Sequence, residues 1–202
     1  MASSDTLRSS DASVVADVAE ATNFLNQFFQ GTAKQRARRV VKAPLGAVQT
    51  AALHHPDPWV RRDCLFFLDH YANDQSMPVF ARALGDPVEF VRNMALHGLS
   101  CQACKSEELC TADVAAGLVE VLEHDPSHEL RTKAIQFLFH LSGREARARA
   151  ALEEASVHDP DPIVRQAARS ALAGRFVAPR KRYERQQRRH GRGPASLPGA
   201  RS

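Results

Sequence analysis

Three of the four cysteines in this 202-residue chain fall within ten positions, Cys101, Cys104 and Cys110, and His97 lies one helical turn before the first. The resulting His-x3-Cys-x2-Cys-x5-Cys spacing gathers four soft donors, a set that can enclose Zn²⁺ tetrahedrally with Cys-x2-Cys as the chelating half. A zinc held this way would be structural, pinning a loop. Two other states of the same atoms stay open: three reduced thiols with His97 exposed on its helix, or a reversible Cys101–Cys104 or Cys104–Cys110 disulfide. A permanent bridge is not expected in an intracellular chain. No cofactor other than this zinc is expected.

A second candidate is electrostatic. From Arg175 onward the chain carries nine basic residues against Glu184 alone, a charge of +8, while the whole chain is +4 and the remainder therefore −4. The basic character resides in this stretch, and Arg180, Lys181, Arg182, Arg185, Arg188 and Arg189 are its candidate phosphate-binding residues. Contact with nucleic acid through them would be sequence-independent and would weaken steeply with salt. A shorter basic run, Lys34 to Lys42, reads as the solvated face of a helix.

Other chemistry is hard to place. There is no Gly-rich phosphate loop, no Ser-His-Asp arrangement that spacing supports, and no paired metal-binding motif on a helix. Histidines recur before turns (His54, His124, His158) and at helix ends (His70, His140). Polar capping of helix ends is the role expected for them.

The elements that must position these residues are repeated. His55–Leu68, Asp86–Leu99, Asp125–Leu138 and Asp159–Leu172 align without gaps, each with Pro second, Val or Leu sixth, Arg seventh, a small residue tenth and Leu last, except that the first begins with His55 where the others begin with Asp. The marker arginines Arg61, Arg92, Arg131 and Arg165 lie 31, 39 and 34 residues apart, the period of stacked helical repeats. Asp-Pro stops one helix and starts the next, because Asp caps free amides and Pro is tolerated only in the first turn. Apolar markers four apart then share one face, with Cys64, Ala95, Ala134 and Ala168 admitting a close neighbour and Leu65, Leu96 and Ile135 filling space toward the next copy. Trp59, Phe90 and Ile163 share the fifth place and read as packing residues. Leu45 to His54, Met77 to Leu84, Val114 to His124 and Arg144 to Val157 supply the first helix of each pair. The long 39-residue interval holds the cysteines, so their loop is an insertion, a usual home for function in repeat proteins.

On these residues the segment from Leu45 to Gly174 resembles the HEAT-repeat family, of the kind found in bacteria. The resemblance implies an all-α fold, a short α-solenoid of about four helix pairs, in which the repeated arginines and turn aspartates form structural ladders between copies. HEAT-like enzymes fit poorly. Deoxyhypusine hydroxylases need several His-Glu pairs where this chain has His128-Glu129 alone, and the HEAT-like DNA glycosylases need a basic groove where this array is acidic.

The expected organisation is a disordered 1–11, N-terminal capping helices over 12–43, a repeat domain over 44–174 and a basic disordered tail over 175–202. A helix from Asp11 to Gly31, with Val14, Val15, Val18, Phe24, Leu25, Phe28 and Phe29 as its apolar stripe, would cover one end of the stack. No window approaches the roughly 18 apolar residues of a membrane span, and the opening Met1 to Ser10 lacks the order of a signal peptide, so a cytoplasmic monomer is expected. The function read from all this is a non-catalytic protein–protein interaction scaffold with an unspecified protein partner. The alternative is a nucleic-acid-associated HEAT protein gripping phosphates with its tail.

Overall fold

The computed structural model describes residues 4–72, 74–100, 112–143 and 145–175. Among them every regular element is helical, as expected: α1 (Ser4–Gln30), α2 (Ala33–Val40), α3 (Leu45–His54), α4 (Pro58–Tyr71), α5 (Met77–Ala83), α6 (Glu89–Ser100), α7 (Ala112–His124), α8 (His128–Leu141), α9 (Ala146–His158) and α10 (Pro162–Leu172), with one 3₁₀ turn at Asp74–Ser76. They form two compact units, Met1–Leu118 and Val119–Ser202.

In the first unit α3 packs on α4, α5 on α6, and the two pairs stack through α4 against α6 and α3 against α5. The stacking works because the tenth place is small: Cys64 and Ala95 are fully buried, and so are the eleventh-place Leu65 and Leu96. Gly98 has a separate steric reason. A Cβ there would run into the ring of Phe80, which α5 sends under α6. Val91 is buried in the sixth place, whereas Val60 is only half-buried.

The helix preceding the repeats covers this unit as expected but differs in extent. It begins at Ser4 instead of Asp11, because nothing between Ser4 and Gln30 breaks a helix: there is no Pro or Gly in that interval. Its buried stripe is Ala21, Leu25 and Phe28, while Val15 and Phe29 are exposed. Phe28 and Phe24 each meet Phe67 edge to face with ring centroids 5.1 Å apart, and Phe28 also meets Tyr71 at 5.2 Å. Asp17 Oδ2 accepts from Thr50 Oγ1 at 2.9 Å, fixing α1 along α3. The basic α2 buries no residue; Thr32 and Gln35 close a capping box at its start, and Arg39 donates to the carbonyl of Gln27.

In the second unit α8, α9 and α10 pack mutually, burying Leu130, Ala134, Ile135, Leu138, Leu152, Val164 and Ala168. The last helix ends on Gly174 at φ 66°, with Gly174 N–H bonded to Ala171 O and Arg175 N–H to Ser170 O, both 2.9 Å. That is a Schellman closure, and it needs the left-handed residue that glycine supplies without strain. No helix among the described residues is long and apolar enough to cross a membrane.

Candidate functional site

The four repeated turns are built alike, and their differences locate the surfaces available for function. In each copy the marker arginine sits in the first turn of the second helix and folds back, its Nη1 donating to the carbonyls of the first two turn residues. The distances are 2.8 and 3.3 Å for Arg61, 3.0 and 3.3 Å for Arg92, 2.9 and 3.4 Å for Arg131, and 2.6 and 3.1 Å for Arg165.

The other edge of the guanidinium reaches forward to the next copy. Arg61 Nε and Nη2 grip Asp86 at 2.7 and 2.9 Å, and Arg131 grips Asp159 at 2.8 and 3.0 Å. These side chains are 9% exposed or less, and the hydrogen bond to the aspartate raises each arginine above its ordinary pKa. The aspartate is itself held: Asp86 Oδ1 accepts from Val88 N–H and Asp159 Oδ1 from Asp161 N–H, each at 2.8 Å. The expected ladder is therefore a bidentate lock between adjacent helix pairs.

Both ends of the ladder depart from the pattern. In the first copy no earlier marker arginine calls for a carboxylate, and His55 stands in the aspartate's place; its Nδ1 accepts from Asp57 N–H at 3.0 Å, so the turn bond survives without the charge. In the last copy Arg165 keeps both carbonyl anchors, yet among the described residues no carboxylate meets its Nε–Nη2 edge, and it is only half-buried. The last copy is also unusual in the eleventh place. There Arg169 replaces Leu65, Leu96 and Ile135, is exposed, and donates from Nε to Ser156 O at 3.0 Å.

The fifth place corrects the packing role read from sequence. Trp59 is 58% exposed and stacks on Phe90 with centroids 4.4 Å apart and planes 24° from parallel; Ile163 is also 58% exposed. The cause is helical phase: with Asp57 and Asp161 as N-caps, the fifth residue lies one step from the sixth and points off the buried face.

Of the zinc set only His97 is described; Cys101, Cys104 and Cys110 lie outside the described residues, as do Arg180, Lys181, Arg182, Arg185, Arg188 and Arg189. His97 is half-buried, and its Nε2 lies 3.5 Å from Oδ2 of Asp69, a carboxylate buried at the end of α4. His70 Nδ1 approaches the same oxygen at 3.5 Å but is closer to Phe66 O, at 2.9 Å, so it carries its proton on Nδ1. Sequence reasoning missed Asp69, whose only signal was a charged residue one place beyond the repeat's final Leu68. Among the described residues no three His, Cys, Asp or Glu side chains converge on a metal position.

Other titratable groups serve the fold. Burial pushes the Cys64 thiol up to about 12, which suits its small-residue core position. His128-Glu129 lies in a cap: Ser127 caps α8, and hydrogen bonds from backbone and Ser127 hold Glu129 below its usual range. His70 bonds a helix carbonyl as expected, while His124 and His158 sit beside Glu120 and Glu154 four residues earlier.

The family model described as HEAT repeats matches residues 47–138 and again 100–173, well over half of the chain. No curated protein matches it.

Proposed function

We propose, from the premise that this chain belongs to the HEAT-repeat family, that it is a non-catalytic scaffold whose helix pairs hold a protein partner. HEAT repeats generally mediate protein–protein interaction. The observation that supports this reading is the Trp59–Phe90 stack: two large aromatics, one on each of two adjacent repeats, with the indole largely in solvent. Exposed aromatic surface of this kind has no role in closing the core, and Trp is over-represented among the residues that dominate binding energy.

The test is affinity capture with the full-length chain beside Trp59→Ala, followed by direct affinity measurement on the partner obtained. Loss of about tenfold or more in affinity supports the reading, since an aromatic anchor at the centre of an interface is typically worth about 2 kcal/mol or more. Unchanged affinity rejects it. The variant gives up the stack on Phe90 at a largely exposed site, so it should stay folded and lose about 1 kcal/mol in stability.

The +8 stretch beyond Gly174 supports a second reading, nucleic-acid association. Binding to generic DNA or RNA at low and moderate salt, with and without residues 176–202, decides it; no salt-sensitive affinity in the full chain rejects it. A structural zinc on His97, Cys101, Cys104 and Cys110 is a separate proposal, resting on ligand spacing. Less than about a tenth of an equivalent of zinc after chelator-free purification would remove it.

A further inference from the structure

We infer that the closing face of the last helix pair, at Arg165 and Arg169, is a receptor for an aspartate carboxylate presented by an acidic segment of another protein. The inference deepens the protein-binding reading and rests on it.

Arg61 and Arg131 show what this guanidinium does when its Nη1 is anchored on two turn carbonyls: the Nε–Nη2 edge takes an aspartate in a two-pronged grip. Arg165 is anchored the same way, at 2.6 and 3.1 Å, so the same edge is held in place in advance. The conformational cost of fixing a long side chain has then been met by folding, which favours binding. A planar fork also selects a carboxylate of matching geometry over a point charge.

The eleventh place identifies what does not dock there. Leu65, Leu96 and Ile135 are fully buried, but Arg169 is exposed and tied back to Ser156 O. A further apolar helix pair would bury a guanidinium against its core, at a large desolvation cost. The face therefore favours an acidic partner, with two backbone-anchored arginines one helical turn apart. The chain's own stretch beyond Gly174 is a poor occupant, because it carries Glu184 as its sole acidic side chain among nine cations.

The test uses ¹⁵N-labelled full-length protein and, as probe, a synthetic peptide of residues 85–89, the acidic Gly-Asp-Pro-Val-Glu turn that presents Asp86 to Arg61, without the apolar helices on either side of it. Titration should shift the Arg165 Nε–H resonance. The same peptide with Asp86→Asn should bind about tenfold or more weakly, the scale of a charge-assisted hydrogen bond lost. Arg165→Gln and Arg165→Lys should both reduce binding of the parent peptide to the level of the Asp86→Asn peptide, since lysine keeps the charge and loses the fork. Equal affinity of the two peptides, an Arg165 resonance that does not move, or no binding at millimolar peptide overturns the inference; the peptide comparison stands even if an Arg165 variant folds poorly. A shift of the Arg165 resonance on Glu184→Gln assigns the site to the chain's own terminus and also overturns it, as does a concentration-dependent dimer abolished by Arg165→Gln. Failure here with Trp59-dependent capture intact sinks this receptor alone and leaves the scaffold reading standing.

Discussion

Removing one partner from the Arg61–Asp86 lock should cost more than any surface change in this protein. Arg61 makes two bonds to Asp86 and two to turn carbonyls while its side chain is 9% exposed, and the Asp86 side chain is 6% exposed. Asp86→Asn leaves a buried guanidinium facing an amide. Arg61→Met leaves a buried carboxylate to which Val88 N–H still donates, and each loss is expected to cost about 3–5 kcal/mol. In the double variant neither charge is stranded and the introduced amide oxygen can still accept from Val88 N–H, so the total should fall short of the sum by about 2–3 kcal/mol. Arg165→Met is the internal control: it gives up two carbonyl bonds at a half-buried site and no carboxylate, for about 1–2 kcal/mol. Urea unfolding of the full chain followed by helical circular dichroism reads all four variants, provided the dependence on urea concentration keeps its slope. Single-variant costs that add to within about 0.5 kcal/mol, or an Arg165→Met loss equal to that of Arg61→Met, would refute the claim that the lock acts as a unit.

Gly98→Ala should destabilise by about 1–3 kcal/mol through collision with Phe80, and Phe80→Leu in the same chain should recover part of the loss in the same urea assay. Phe28→Ala, which empties the centre of the aromatic contact between α1 and α4, should cost about 3–5 kcal/mol; a loss below about 1 kcal/mol would mean α1 covers nothing. Cys64, with its thiol pushed up to about 12, should resist a thiol reagent at neutral pH until denaturant is added, as mass mapping of the labelled peptide would show. Labelling of Cys64 at the rate of a small-molecule thiol under native conditions would contradict its burial.

The repeats were legible because their signals are local and recur. Asp-Pro turns, four-residue apolar spacing and small tenth-place residues are each set by a few neighbours, and α3 falls on the expected Leu45–His54 to the residue. What sequence obscured depends on direction. Trp59 lies one residue before a core position, and composition alone favours burying an indole; only the phase set by the Asp57 cap turns it outward. The start of α1 was hidden for a different reason, since serines weaken helix propensity without forbidding it and Asp11 offered a competing cap. Asp69 lacked any signal of partnership because the recurrence of His70 with His140 reads as helix-end capping and His97 has no counterpart in the other copies.

The ladder has a direction, and the two ends of the repeat array differ because of it. Each observed lock runs from an arginine forward to the aspartate of the following copy, so the first copy has no use for a carboxylate, and the last has a guanidinium edge that no carboxylate meets among the described residues. His55 meets the first condition by preserving the turn bond without a charge that would otherwise need a partner. The faces follow suit. The starting pair turns an apolar side outward, Ala47, Val48, Ala51 and Ala52, and must be covered by the Phe-rich α1. The closing pair carries Arg169 in place of a leucine and so needs no hydrocarbon cover, which leaves a cationic face that water or a carboxylate can satisfy. An Arg169→Leu substitution would restore the interior pattern at that place and expose apolar surface; association of the variant through this face, absent in the parent, is the expected consequence, detectable by sedimentation. A monomeric Arg169→Leu chain would show that Arg169 is not what keeps the closing face from self-association.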